Sequence, residues 1–247
     1  MTTKRPLIAV LTGAGISTDS GIPDYRGPQG LWQRDPSAQR MVTIGPYLGD
    51  PEVRRRAWVM RAEAGALGAE PNAGHRALVE LERSGLPLRV LTQNVDGLHQ
   101  RSGLPARKVL ELHGTAREVQ CVGCRAVGAM EQALERVAAG EPDPACRECG
   151  GVLRPRTVMF GESLDPVVLQ QADAVARACD LFIAVGTSLQ VYPVAALPQI
   201  ARESGARLVV VNGEPTPFDE VADEVVREPI STALPALVAK LLAERPR

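Results

Sequence analysis

Aromatic residues are scarce in this chain: three Phe, three Tyr and two Trp among 247 residues, 3% of the sequence. A core without large rings has to be built from Val, Leu, Ile and Ala. Lysine occurs only as Lys4, Lys108 and Lys240, so arginine carries almost all the positive charge. Neither sign of charge prevails. With 28 basic against 29 acidic residues the net charge is −1, which removes the basic face that nucleic-acid or membrane-surface binding needs. No stretch approaches the roughly 20 apolar residues of a membrane span. The short apolar run in MTTKRPLIAVLTGAGIS is followed by Gly-rich turn residues rather than a signal cleavage site. Hydrophobic residues at 45% and charged ones at 23% then describe an ordinary globular protein, expected in the cytoplasm, where cysteines stay reduced.

Four short apolar runs read as buried parallel strands: LIAVLT at 7–12, LRVLTQN at 88–94, LFIAVGTS at 181–188 and RLVVVN at 207–212. Helical patterns separate them: AGHRALVELERSG, DPVVLQQADAVARACD and PVAALPQIARESG. This alternation predicts an α/β fold, an open parallel sheet with helices on both faces, whose ligands bind beyond the carboxyl ends of the strands. Those ends read Thr12-Gly13, Gln93-Asn94, Gly186-Thr187-Ser188 and Asn212, all small or polar. Two segments break the rhythm. Residues 37–73 surround one helical stretch, DPEVRRRAWVMRAEAG, and residues 117–154 hold the cysteines, with a helix expected over 129–139. Both read as insertions that pack together as a small second domain.

TGAGISTDSGIPDYRG, 12–27, follows the first strand. Gly13 and Gly15 would let backbone N–H groups approach a pyrophosphate at a helix start. Thr18 stands where a dinucleotide fingerprint has its third glycine, and no acidic residue ends a second strand about 20 residues on. The pattern by itself therefore leaves a nucleotide site and a tight structural turn both open. The tail, Gly21 to Gly27, carries one aromatic and one arginine and suits a lid over a ring-bearing cofactor. Cys121-x-x-Cys124 and Cys146-x-x-Cys149 are a stronger signal: four thiolates complete a closed tetrahedral zinc site with no position for a reactive water. A redox dithiol does not explain two pairs. Cys179, at an apolar helix end, reads as core. Of the three histidines, His75 opens a helix and reads as a cap, and His99, just past a strand end, is ambiguous. His113 is not required by a metal that already has four cysteines, and at neutral pH it can act as a general base.

GAGISTDSGIPDYRGPQGLW, TQNVDGLHQ, ELHG, the four cysteines, RPRTVMFGE, GTSLQVYPVAALP and VNGEPTPFD, in that order over about residues 8 to 220, resemble the sirtuins, NAD-dependent protein lysine deacylases, in a bacterial form. The resemblance implies a Rossmann-like domain over 1–36, 74–116 and 155–247, and a small domain made of a helical module, 37–73, and a zinc module, 117–154. It places NAD and the acyl-lysine in the cleft between them. It assigns Ala14, Thr18, Tyr25 and Arg26 to the cofactor loop, beside Gly13 and Gly15. Gln93, Asn94, Val95 and Asp96 go to the nicotinamide ribose and carboxamide. Gly186, Thr187, Ser188, Asn212 and Glu214 go to the adenosine half, and Ile230 to its adenine side. His113 becomes the catalytic base, with Asn94 and Asp96 at its side, and the zinc is structural.

The implied reaction begins when the acyl oxygen attacks the ribose carbon bearing nicotinamide. His113 then removes a proton through the ribose hydroxyls, and water completes release of free lysine and an O-acyl-ADP-ribose. The substrate would add as a strand between Gly161-Glu162 and Val191-Tyr192. Two departures stand out. Tyr25 replaces the family's usual phenylalanine. Relatives that prefer succinyl or malonyl lysine carry Tyr-x-x-Arg where this chain has Trp58-Val59-Met60-Arg61, so the arginine is kept and the bulkier Trp58 is expected to narrow the entrance. Acetyl-lysine is therefore the expected substrate. The rival readings are a protein mono-ADP-ribosyltransferase using the same cleft and a non-catalytic NAD or ADP-ribose binding module.

Overall fold

A computed structural model describes residues 6–24, 37–63 and 65–244. Tyr25, Arg26 and Gly27 of the expected lid lie outside the described residues. β1 (Ile8–Thr12) is flanked by β2 (Leu88–Thr92) and β7 (Leu181–Val185). β3 (Val109–Glu111) lies outside β2, and β8 (Arg207–Val211) and β9 (Glu224–Val226) lie outside β7. All six strands are parallel. The sheet thus has two strands more than the four apolar runs suggested. β3 and β9 are three-residue edge strands, half-buried and too short to show as runs. The first expected strand ends at Thr12 as read and the fourth one residue early, whereas the second and third end two and three residues early, because Gln93-Asn94 and Gly186-Thr187-Ser188 turn out of the sheet to form a crevice.

Continuous burial of β1, β7 and β8 has a direct cause: alternate side chains enter two separate cores. Ile8, Val10, Ile183, Val185, Val209 and Val211 pack on one face against α4 (Ala73–Arg83) and α9 (Ile230–Ala243), through Leu78, Leu81, Leu234 and Leu237. Ala9, Leu11, Phe182, Ala184, Leu208 and Val210 face α7 (Pro166–Ala178) and α8 (Leu197–Glu203) on the other. Cys179 is part of this second core, its thiol 3.2 Å from Ala176 O and pushed up to about 11 by burial. Asn72 starts α4 by accepting from the Gly74 and His75 amides, while the His75 ring receives the Asn72 amide, so His75 is the cap expected of it.

The interrupting segments carry α1 (Ala38–Met41), α2 (Ile44–Gly49), α3 (Pro51–Glu63), α6 (Met130–Ala138) and a three-stranded antiparallel sheet. In that sheet β4 (Gly114–Cys121) lies between β5 (Val127–Ala129) and β6 (Leu153–Thr157). α5 (Leu98–Arg101) follows the second sheet strand. Trp58 of α3 is fully buried among Val119, Cys121, Met130 and Cys146, so helical and cysteine-bearing segments share one core. This corrects the expectation that Trp58 narrows an acyl entrance. A ring with no exposed surface inside that core cannot line a cleft. No helix among the described residues is long and apolar enough to cross a membrane.

Candidate active site

The strand order runs outward from β1 in both directions, so the chain reverses between β1 and β7, and a crevice opens beyond their carboxyl ends. Three glycines close its floor. The Gly13 amide donates to Val185 O at 3.0 Å and the Gly15 amide to Gly186 O at 2.9 Å. A Cβ on Gly13 would lie 2.6 Å from Gly186 O, one on Gly15 2.8 Å from Gly186 Cα, and one on Gly186 2.5 Å from Ile16 N. The two turns therefore interlock backbone to backbone. Since the glycine amides are engaged, the open donors here are the amides of Ala14, Thr187 and Ser188, which take no partner among the described residues. Open amides grouped in this way can accept an anion such as a phosphate oxygen.

The crevice widens into a cavity of about 800 Å³ whose wall includes Ala14, Gln93, Asn94, Val95, His113, Thr187, Ser188, Asn212 and Glu214. Most of the expected cofactor residues thus meet in one place. Gln93 spans the floor, its Nε2 donating to Thr187 Oγ1 at 2.9 Å. Asn94 Nδ2 donates to Gly13 O at 3.0 Å and reaches Ser17 Oγ at 3.1 Å. Asp96 stands behind Asn94 rather than on the wall. One oxygen accepts from Ser17 Oγ at 2.8 Å, the other from the Leu98 amide at 2.8 Å. Thr18 is exposed and turns its hydroxyl back to Gly15 O, and Ile230 packs beside Gly74 at the start of α9; neither reaches the cavity wall. Ser17, which joins Asn94 to Asp96, was missed because a buried serine two residues after a glycine carries no pattern of its own. Asp24, also on the wall, was passed over as part of the loop that holds it.

His113 joins the two sheets, between β3 and β4. Its Nδ1 lies 2.9 Å from Gln93 O. A carbonyl oxygen only accepts, so Nδ1 carries the proton and Nε2 keeps the lone pair. Burial holds the imidazole below its usual range, against the smaller opposing effect of the Gln93 hydrogen bond, so the ring is neutral at neutral pH. Gly114 follows with φ of +74°, and a Cβ there would lie 2.3 Å from Arg156 O. The His-Gly pair is thus one device: the glycine lets β6 approach closely enough for the Val158 amide to bond His113 O at 2.8 Å.

Across the cavity, Gly161, Glu162, Val191 and Tyr192 line two facing segments. The Gly161 and Tyr192 backbone N–H groups take no partner among the described residues, which leaves one open amide on each segment. Arg61 reaches the wall, its Nη1 donating to Ala57 O at 2.7 Å and its guanidinium over the Tyr47 and Trp58 rings at 5.8 and 5.9 Å. Behind the cavity His99 is fully buried, its Nε2 2.9 Å from Thr12 Oγ1, and burial pushes it down to about 3. A second hollow of about 610 Å³ lies at the amino ends of the strands, against Leu7, Pro87 and Lys108, away from these groups.

The four cysteines form a separate cluster. Their sulfurs all lie within 4.8 Å of one another, with Cys121 to Cys149 at 3.5 Å and Cys124 to Cys146 at 3.6 Å. Metal–sulfur bonds of about 2.3 Å in a tetrahedron put neighbouring sulfurs about 3.8 Å apart, so this donor set fits one zinc and leaves no coordination position for water.

Comparison with known proteins agrees with this geometry. A model of the Sir2 family matches residues 13–193. An NAD-dependent protein deacetylase 2 from Streptomyces coelicolor is 66% identical over 239 residues, 97% of this chain and 99% of the relative. An NAD-dependent protein deacetylase from Thermodesulfovibrio yellowstonii is 40% identical over 98% of this chain and 93% of its own. Among solved structures, a Sir2 bound to acetylated peptide superposes with a TM-score of 0.84 at 35% identity, covering 96% of this chain and 94% of that one. A Sir2–p53 peptide–NAD+ complex superposes at 0.83 and 36%, covering 98% and 94%. Matched by the family model over most of its length and two-thirds identical to a relative from end to end, this chain belongs to the Sir2 family.

Proposed function

We propose that the protein removes acyl groups, acetyl above all, from lysine side chains of other proteins, consuming NAD and releasing nicotinamide and an O-acyl-ADP-ribose. The observation that carries this reading is the placement of His113, with an unprotonated Nε2, in the wall of the cavity that the interlocked glycine turns close from below. NAD supplies the chemistry of an electrophilic ribose carbon with nicotinamide as its leaving group. The glycines let the two turns lock together as the floor of the cavity, and Ala14, Thr187 and Ser188 offer open amides to the phosphates of the cofactor. Asn212 and Glu214 serve the adenosine half. Gln93, Asn94 and Val95 line the nicotinamide side, and Asp96 holds Ser17 so that Asn94 keeps its place.

The role of His113 follows from its surroundings. Gln93 O fixes the tautomer, burial keeps the ring neutral, and Nε2 is left to accept a proton from a ribose hydroxyl. The acylated segment enters as a strand between Gly161-Glu162 and Val191-Tyr192, so main-chain hydrogen bonds dominate its affinity and many target sequences are accepted. The zinc of Cys121, Cys124, Cys146 and Cys149 supports the fold. Four reduced cysteines suit a cytoplasmic protein. The test is incubation with NAD and an acetyl-lysine peptide, with mass spectrometry of the products. Nicotinamide together with O-acetyl-ADP-ribose and free lysine is expected. An ADP-ribosylated peptide that keeps its acetyl group would make the protein a transferase, and an absence of turnover would make it a binding module. A succinyl-lysine peptide run alongside is expected to react more slowly, since Arg61 is engaged with Ala57 O and two rings.

A further inference from the structure

Segment 157–162 is held by hydrogen bonds from three directions. Val158 N donates to His113 O at 2.8 Å, Phe160 N to Val42 O at 2.9 Å, and Phe160 O accepts from Ile44 N at 3.0 Å. Glu162 N returns to Met159 O at 3.0 Å, closing a turn in which Gly161 has φ of +89°. Among the described residues the Gly161 amide takes no partner. The turn is closed a second time by side chains. The Glu162 carboxylate accepts the Met159 amide at 2.9 Å and meets the Arg154 guanidinium with both oxygens, Arg154 Nη1 to Oε1 at 2.5 Å and Nη2 to Oε2. Arg154 Nη2 also donates to Thr157 O at 2.7 Å. Both side chains are shielded, at 16% and 26% exposure, and the guanidinium with its five fixed donors holds Glu162 below the usual carboxylate range despite that burial.

We infer that Arg154 is a positioning residue for the acylated substrate: through Glu162 it fixes the turn 159–162 so that the Gly161 edge is ready to pair with an incoming strand. This rests on the strand-addition reading of the cleft given above. The geometry makes the effect selective. Arg154 touches the turn and not the glycine floor, so its loss loosens the edge that receives the peptide and leaves the NAD half untouched. An edge that must be ordered on binding costs affinity that a preformed edge does not.

The experiment is steady-state kinetics of Arg154→Met, Arg154→Lys and Glu162→Gln against an acetyl-lysine peptide and against NAD, with hydrogen exchange of segment 157–164. For Arg154→Met we expect the KM for peptide to rise about tenfold, the equivalent of one pair of hydrogen bonds. The KM for NAD should hold, kcat should fall less than about twofold, and exchange should quicken in 157–164 alone. Arg154→Lys keeps the charge without the fork and should recover part of the loss. Glu162→Gln keeps an acceptor for Met159 N and should fall between. An unchanged peptide KM, or peptide KM, NAD KM and kcat worsening together as the melting temperature drops, overturns the inference while the deacylase reading stands. Wild-type protein that neither binds nor turns over the acetyl peptide overturns both.

Discussion

Replacing Gly186 with alanine tests how tightly the cofactor floor is built. Two costs add. The residue has φ of +60°, where an L side chain loses about 1–2 kcal/mol. The new Cβ would lie 2.5 Å from Ile16 N and 2.7 Å from Gly15 C, both backbone atoms that a rotamer change cannot move aside, and overpacking of this kind costs about 1–3 kcal/mol. The sum is roughly 2–5 kcal/mol, a fall in melting temperature of roughly 4–20 °C for a chain of this size. Two other glycines separate the terms. Gly205 has φ of +94° with nothing within 4 Å of its Cβ position, so Gly205→Ala carries backbone strain alone. Gly213 has open space and no left-handed φ, so Gly213→Ala should sit close to wild type. Thermal unfolding of the three variants, each with and without NAD, is the assay, because a bound ligand raises stability in proportion to the logarithm of its saturation. The expected order of loss is Gly186→Ala, Gly205→Ala, Gly213→Ala, and only the first should also lose stabilisation by NAD. If Gly186→Ala is no worse than Gly205→Ala and keeps its NAD response, the two turns yield and the interlock argument fails.

His113→Ala should keep the fold and NAD-induced stabilisation but lower deacylation by about 10²–10⁴-fold, measured as formation of O-acetyl-ADP-ribose and free lysine; near wild-type turnover removes His113 from the mechanism. One zinc per chain is expected by metal analysis of reduced protein. Chelation should shift the fluorescence of Trp58, which packs with Cys121 and Cys146, in a Trp32→Phe background; a Cys124→Ala variant as stable as its parent would refute the site. His75, His99 and His113 are all pushed below their usual value by burial, so their neutral forms support folding above about pH 6.5. As pH falls below that value the unfolded chain binds protons that the folded one refuses, and unfolding free energy should drop by up to about 1.4 kcal/mol per pH unit for each histidine. Denaturant unfolding at pH 7 and pH 5 checks this, and equal stabilities would contradict the burial. On the same grounds the acid limb of kcat/KM should lie below pH 6.5.

How much of this was legible before the structure depends on whether a residue's neighbours are local or remote. The four long strands showed because burial on both faces makes a continuous apolar run, and His75 showed as a cap because its partner, Asn72, is three residues away. β3 and β9 did not show, since three residues on a sheet edge bury too little to stand out. The cysteine spacing carried the metal site because Cys-x-x-Cys is itself a local geometry. Trp58 was misplaced for the opposite reason. A helical residue's environment is set by what packs across it, and Met130 and Cys146, which enclose it, lie more than 70 residues away. Motif reading likewise credited the Gly13 and Gly15 amides with phosphate contact, whereas both are bonded to the β7 turn 170 residues on and the amide left open is that of Ala14.

A zinc with no open position would still bear on the proposed chemistry, because the metal ligands and the proposed base sit at the two ends of one strand. β4 begins at Gly114, next to His113, and ends at Cys121, a metal ligand. Midway along, the Ala116 amide bonds Val95 O at 2.8 Å, and Arg117 Nε donates to Asp96 O at 3.1 Å. The same guanidinium reaches Leu67 O at 3.3 Å and lies 3.7 Å from Glu131 of α6. The loop that carries Asn94 and Asp96 is therefore fastened to a strand whose far end is held by β5, β6 and the gathered thiolates together. Two buried and two exposed sulfurs gathered this closely cannot all stay anionic without a cation between them. Removing the metal should loosen the Cys121 end of β4, and through it the fastening of Val95 and Asp96. A closed metal site and a catalytic loop are in this way mechanically one unit, although no ligand of the first touches the second.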